Sequence, residues 1–197
     1  MKVRESGMPE EDYWDTFFDP PTILSTLQFD ATCHDVVEVG CGYGTFTIPA
    51  ARIASGVVRA FDIESEMVQL TAEKATAAHL TNVQTAVRDL VADGTGLPDE
   101  SIDYVMLFNI LHAENPLVFL QEASRVLRTG GRVGIIHWNY DASTPRGPSM
   151  AIRPRPDQCQ AWAEAAGFHP LIPGTIDLPP YHYGLVYVKV GGVKHQL

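Results

Sequence analysis

Three glycines and two carboxylates within one short stretch are the residues of this chain best equipped for chemistry. Gly40, Gly42 and Gly44 follow the run Val36-Val37-Glu38-Val39, so a buried strand leads into a turn where no Cβ blocks a ligand from approaching main-chain atoms. Glu38 lies inside that strand, where a carboxylate is costly unless a cation or a hydrogen-bond donor meets it. A second apolar run, Val57 to Phe61, ends in Asp62, about twenty residues beyond the glycines, the separation at which an acid can accept from both hydroxyls of a ribose. These residues describe a pocket for a nucleoside-bearing ligand. The plainer readings stand beside it: an ordinary strand-turn-helix, a buried acid tying down loop amides, and a helix-capping Asp62.

The elements that must position these groups can be traced by periodicity. Strands are expected at Val36 to Val39, Val57 to Phe61, Val83 to Arg88, Tyr104 to Phe108 and Arg132 to Trp138. Between them fall helices near Thr45 to Ala54, with Pro49 close to its first turn, and Glu66 to His79, with Ser65 as N-cap. A third helix begins at Asn115-Pro116 and ends at Gly130-Gly131. Asn139 to Pro156 carries Pro145, Pro148, Pro154 and Pro156 and cannot be regular. Asp157 to Ala166 reads as a helix, and Phe168 to Asp177 and Tyr183 to Val190 as two last strands. Ahead of the first strand, residues 1 to 12 read as a mobile arm, and Tyr13 to Leu27 as two helical pieces broken by Pro20-Pro21. Such alternation implies right-handed crossovers, a mainly parallel sheet and helices on both faces, an α/β chain with its ligand beyond the carboxyl ends of the strands.

Composition narrows the partners. At 197 residues and 45% hydrophobic, the chain is long enough for one sizeable core and short for two domains. A formal charge of -10 argues against a nonspecific nucleic-acid or anionic-membrane binder, which needs clustered Lys and Arg. Cys33, Cys41 and Cys159 have neither metal-ligand nor secreted-disulfide spacing. With a polar start from Met1 to Pro9 and no window approaching a membrane span, a cytoplasmic location is the expectation, with no metal site.

Four segments in order carry a resemblance: Glu38-Val39-Gly40-Cys41-Gly42-Tyr43-Gly44, then Asp62, then Leu97-Pro98-Asp99-Glu100-Ser101-Ile102-Asp103-Tyr104-Val105, then Leu127-Arg128-Thr129-Gly130-Gly131-Arg132-Val133. In these the chain resembles the class I S-adenosylmethionine-dependent methyltransferases, in particular the small-molecule type with a short Rossmann-like core, strongly over about residues 35 to 138. The resemblance implies a three-layer Rossmann-like fold with a seven-stranded sheet whose last strand is antiparallel, residues 1–30 as an N-terminal helical lid and 31–197 as the methyltransferase domain. It implies S-adenosylmethionine as cofactor. Gly40, Cys41 and Gly42 would cradle its amino-acid part, with Glu38 anchoring the turn or meeting the ammonium. Asp62 would take the ribose, Ile63 would cover the adenine, Asp89 and Leu90 would contact its edge with Asp93 competing, and Asn109 would lie beside the methionine portion. Tyr13 would fold over the cofactor.

Methyl transfer from a sulfonium needs alignment and exclusion of water more than it needs acid-base help. His112 is the candidate base, with helix capping or packing on the cofactor as its alternative. Trp138, Arg146, Arg153, Arg155, His182 and Tyr183 fall where related enzymes build acceptor pockets, and three arginines in one loop could clamp a carboxylate or phosphate. The segment Phe108-Asn109-Ile110-Leu111 departs from the Asn-Pro-Pro-aromatic signature of enzymes that methylate adenine or amide nitrogens. The expected acceptor is a small molecule. Two rivals remain at this point, a nicotinamide-dependent oxidoreductase and a noncatalytic cofactor-binding module. The first is disfavoured because Thr45 stands where its fingerprint wants the third glycine.

Overall fold

The computed structural model describes residues 7–191. Two short helices, α1 (Glu11–Asp15) and α2 (Pro20–Thr26), precede the sheet. Pro20 and Pro21 open α2, where their missing N–H groups cost least, and Asp19 accepts from the Thr22 amide. The alternating part runs β1 (Val36–Val39), α3 (Thr47–Ile53), β2 (Val58–Asp62), α4 (Ser65–Ala77), β3 (Val83–Val87), α5 (Leu90–Asp93), β4 (Ile102–Phe108), α6 (Pro116–Val126), β5 (Leu127–Trp138) and α7 (Pro156–Ala165). Three more strands close the chain: β6 (Phe168–Pro170), β7 (Ile176–Leu178) and β8 (His182–Lys189).

The strand order is β3-β2-β1-β4-β5-β8-β6, with β7 also paired to β8. The first five strands are mutually parallel and β8 is antiparallel to β5. Order reverses between β1 and β4, which places a crevice at the ends of those two strands. Alternate residues of β4 pack in opposite directions, Tyr104, Met106 and Phe108 toward α2 and α3, and Val105 and Leu107 toward α6 and α7, giving three layers.

Three details differ from the sequence expectation. The sheet has eight strands rather than seven, because the run from Phe168 to Asp177 is interrupted at Pro173-Gly174, with Gly174 at positive φ. Its two halves pair with successive stretches of β8. Helix α6 stops at Val126, before Gly130-Gly131, because Leu127 is buried and already pairs with Ile102. The glycines lie where the β4–β5 register shifts. Glu64, not Ser65, is the cap residue of α4, and its amide donates to Asp62.

At the amino edge of the sheet, charge is spent on the fold. Asp103 accepts from the amides of His34 (3.1 Å) and Asp35 (2.7 Å) and pairs with Arg128, while Asp35 pairs with Arg59 at 2.8 Å.

Candidate active site

The carboxyl edge is built differently. Burial of all four β1 residues forces Glu38 into the interior on the α3 side, where Thr47, the first residue of α3, donates a short hydrogen bond to it. Burial pushes the Glu38 carboxyl up to about 8, and the neighbouring Asp62 adds repulsion. Thr47 carried no motif signal, and only the return of the chain through the turn brings it under the acid.

The turn after β1 uses its amide donors internally. Gly40 and Cys41 both donate to the Phe61 carbonyl (2.8 and 3.0 Å), Gly42 donates to Asp62 (2.9 Å), and Gly44 donates to Cys41 (2.9 Å). Gly40 and Gly42 have φ of +74° and +50°, and a Cβ there would stand 3.2 Å from Ile110 Cδ1 and Met8 Cε respectively. The corner is therefore no anion nest, since its N–H groups are engaged and the acids Glu38 and Asp62 flank it. Among the described residues neither Glu38 nor Asp62 has a cationic partner. Such a corner favours a cationic group, the ammonium or sulfonium of S-adenosylmethionine, over a dinucleotide pyrophosphate.

From this corner opens a cavity, continuous with solvent at its mouth. Glu38, Gly40, Cys41, Gly42, Asp62 and Ile63 line one end. Asp89 and Leu90 join them; Asp89 also caps α5, accepting from Val91 and Ala92, whereas Asp93 is exposed and off the cavity wall. Arg88, which sequence reasoning passed over, lies beside Asp89 with its guanidinium 5.8 Å from the Phe61 ring. Asn109 lies at the switch point with φ +55°. Its Oδ1 is buried without a hydrogen-bond partner among the described residues, an uncommon backbone and an unspent acceptor at one position.

At the other end the wall turns aromatic and basic. Phe108, Phe46, Trp14 and Trp138 line it, with Phe46 and Phe108 centred 4.8 Å apart and Trp14 and Trp138 6.4 Å apart. His112 is buried on this wall, and its Nδ1 lies 3.3 Å from Nε2 of His137. His137 is fully buried on β5, and that burial, with His112, His182 and Arg153 nearby, holds it well below the usual imidazole range and so neutral. This histidine pair had no signature in the sequence, because its members are joined only when β4 and β5 lie side by side.

Gly7 and Met8 also line the cavity, and Tyr43 Oη donates to the Pro9 carbonyl at 2.8 Å while Arg146 donates to the Gly7 carbonyl at 3.0 Å. Residues 1–6 of the expected arm lie outside the described residues.

Several candidate residues sit off the cavity wall. Tyr13 is 46% exposed and meets Phe17 edge-on, so its neighbour Trp14 faces the cavity instead. Arg153 is buried and holds the 139–155 loop together, donating to the carbonyls of Asn139, Asp141, Arg146 and Pro148 and to Thr144 Oγ1. Arg155 lies over the Tyr140 ring at 4.2 Å. His182 is packed between Phe18 and Trp138, and burial lowers it to about 3. Tyr183 is buried under the loop and donates to the Pro154 carbonyl at 3.1 Å. Of the three loop arginines, Arg146 alone lines the cavity.

Residues 36–131 match the family described as a methyltransferase domain. An uncharacterized protein of Methanocaldococcus jannaschii is 31% identical over 146 residues, 69% of this chain and 62% of that protein, so the chain spans less than two thirds of that relative. The aklanonic acid methyltransferase DauC of a Streptomyces species is 26% identical over 85% of this chain and 80% of its own length. Among solved structures, a SAM-dependent methyltransferase from Aquifex aeolicus superposes with a TM-score of 0.80 at 24% identity, covering 92% of this chain and 94% of that one, which establishes the shared fold. With the glycine turn, Asp62 and the strand order in agreement, the chain belongs to the class I S-adenosylmethionine-dependent methyltransferases, whose cofactor is S-adenosylmethionine.

Proposed function

We propose that this protein transfers the methyl group of S-adenosylmethionine to a nucleophile of a small molecule by in-line displacement. The observation that carries this reading is the pairing of a cation-favouring corner with an aromatic, basic chamber inside one cavity. The aklanonic acid methyltransferase acts, by its name, on a small organic acid, which supports a small acceptor here.

When bound, S-adenosylmethionine would supply an activated methyl group, with its sulfur as the leaving group that departs in S-adenosylhomocysteine. The residues of this chain do the rest. Glu38 and the turn at Gly40 to Gly42 hold the ammonium end. Asp62 takes the ribose hydroxyls on the lone pairs its amide contacts leave over, and Ile63 covers the adenine beside Asp89 and Leu90. Asn109 offers its orphaned oxygen to the methionine portion. Trp14, Phe46, Phe108 and Trp138 keep water from the nucleophile and align it. His112 accepts the acceptor's proton, with neutral His137 fixing the orientation of its ring. The Gly7-to-Pro9 strap, fastened by Tyr43 and Arg146, acts as the lid expected of the N-terminal segment.

The test is direct. Calorimetry with S-adenosylhomocysteine on folded protein should show saturable binding, and incubation of S-adenosylmethionine with an acceptor panel should release S-adenosylhomocysteine. A flat titration on folded protein would remove the proposal.

A further inference from the structure

The carboxylates of the cavity wall gather at one end, with Arg88 the cation among them, and the division follows strand order. Glu38, Asp62 and Asp89 stand at or just beyond the carboxyl ends of β1, β2 and β3. The far end is formed from β4, β5 and the 139–155 loop, and its wall contains His112 and Arg146 and no carboxylate. Among the described residues the Arg146 guanidinium makes one hydrogen bond, to the Gly7 carbonyl, and no acid pairs with it. Behind the same rim, buried Arg153 donates only to carbonyls and a hydroxyl; one of its nitrogens lies 3.2 Å from the Arg146 carbonyl. Two guanidinium groups thus bear on one end of a cavity, Arg146 with no paired acid among the described residues and Arg153 with Asp141 acting on it at longer range, in a chain whose formal charge is -10.

An aromatic wall by itself attracts either a flat ring or an organic cation. The field of Arg146 and Arg153 decides between them, because a cationic acceptor would have to approach two like charges in a partly desolvated space. An acid meets the reverse situation, with the guanidinium of Arg146 already held at the rim by the Gly7 carbonyl.

We infer that the methyl acceptor is a flat, ring-bearing organic acid whose anionic group is received by Arg146 while its ring lies against Trp14, Phe46, Phe108 and Trp138. The inference rests on the methyltransferase reading of the site and adds the class of acceptor. Arg146 then has two tasks, anion recognition and fastening of the N-terminal strap, so that the acid itself helps close the cavity.

Three probes of similar shape separate these ideas: a hydroxynaphthoate, the matching hydroxynaphthamide and naphthylmethylamine. S-adenosylhomocysteine is titrated first, and absence of binding at that stage would sink the methyltransferase site and this inference with it. On the complex with S-adenosylhomocysteine, the carboxylate should bind about 10- to 100-fold more tightly than the carboxamide, the range of one charge-assisted contact, with the amine weaker still. Arg146→Gln should bring the carboxylate-to-carboxamide ratio close to one, whereas Arg146→Lys should keep part of the ratio. A strap loosened by the substitution would weaken both probes alike and leave the ratio standing, which would overturn the inference. Equal affinity for the three probes, tightest binding of the amine, or no binding of any probe to a complex that holds S-adenosylhomocysteine would overturn it as well.

Discussion

The two ends of the parallel sheet use carboxylates in opposite ways. At the amino edge, Asp35 and Asp103 are met by Arg59, Arg128 and two backbone amides, so their charge is consumed in joining β1, β2 and β4. At the carboxyl edge, Glu38 and Asp62 meet a hydroxyl and amides, and no cation among the described residues. A neutralised acid stabilises the fold; an acid left without a counter-charge waits for one from outside. One strand carries both kinds within a few residues, Asp35 just before β1 and Glu38 inside it.

The contrast is sharpest at Asp62. Asp62→Ala removes the acceptor for the Gly42 and Glu64 amides along with the ribose contacts, and S-adenosylhomocysteine should bind about 100-fold more weakly by calorimetry, two or more charged hydrogen bonds being lost. Asp103→Ala should do the reverse. It strands two amide donors at the amino edge, costing about 2 kcal/mol and lowering the melting temperature by about 4–8 °C in a chain of this size, with S-adenosylhomocysteine affinity unchanged. If Asp103→Ala weakened S-adenosylhomocysteine binding as much as Asp62→Ala does, the division between the edges would fail.

Smaller changes probe how the unneutralised side works. His137→Phe removes the ring facing His112 Nδ1, and kcat should fall about tenfold with little change in KM for the acceptor, as expected when a base loses its orientation. His137→Gln, whose amide can occupy the place of Nε2, should retain most of the rate; equal losses in both variants would reduce His137 to a packing role. The mildest effect concerns Glu38. Its carboxyl, held up at about 8 by burial, is protonated at neutral pH, and an arriving ammonium lowers it. Binding then releases up to one proton, so affinity rises with pH toward about 8 and levels off above it, by at most about tenfold per pH unit. Titrations in buffers of different ionisation enthalpy measure that proton, and Glu38→Gln should abolish it.

Much of the glycine corner could be read from residues alone. Gly40, Gly42 and Glu38 belong to one continuous segment, and Asp62 follows at the next strand end, so local spacing and the geometry of a parallel crossover were enough to bring them together. The use made of the turn was not legible: Phe61 and Asp62 absorb the amide donors, which turns a glycine-rich loop from an anion site into a cation site. At the far end, reading by position went astray. Tyr13 and Trp14 are neighbours in an amphipathic stretch, and only packing against Trp138 decides that Trp14 faces inward. Arg146, Arg153 and Arg155 look alike in a proline-rich loop, yet burial makes Arg153 the loop's own clamp, Tyr140 holds Arg155, and Arg146 is left to the cavity.

By itself the sequence determined the alternation of strands and helices, the sheet with its switch point, and the set of groups beyond β1, β2 and β3, because those depend on periodicity and on residues close together in the chain. Tertiary structure decided the rest: which aromatic faces in, which histidines touch, which arginine stays available, and therefore what lies opposite the glycine corner. Those outcomes depend on contacts between segments far apart in sequence, where burial and competition for partners, rather than residue type, select the side chain that is left to act.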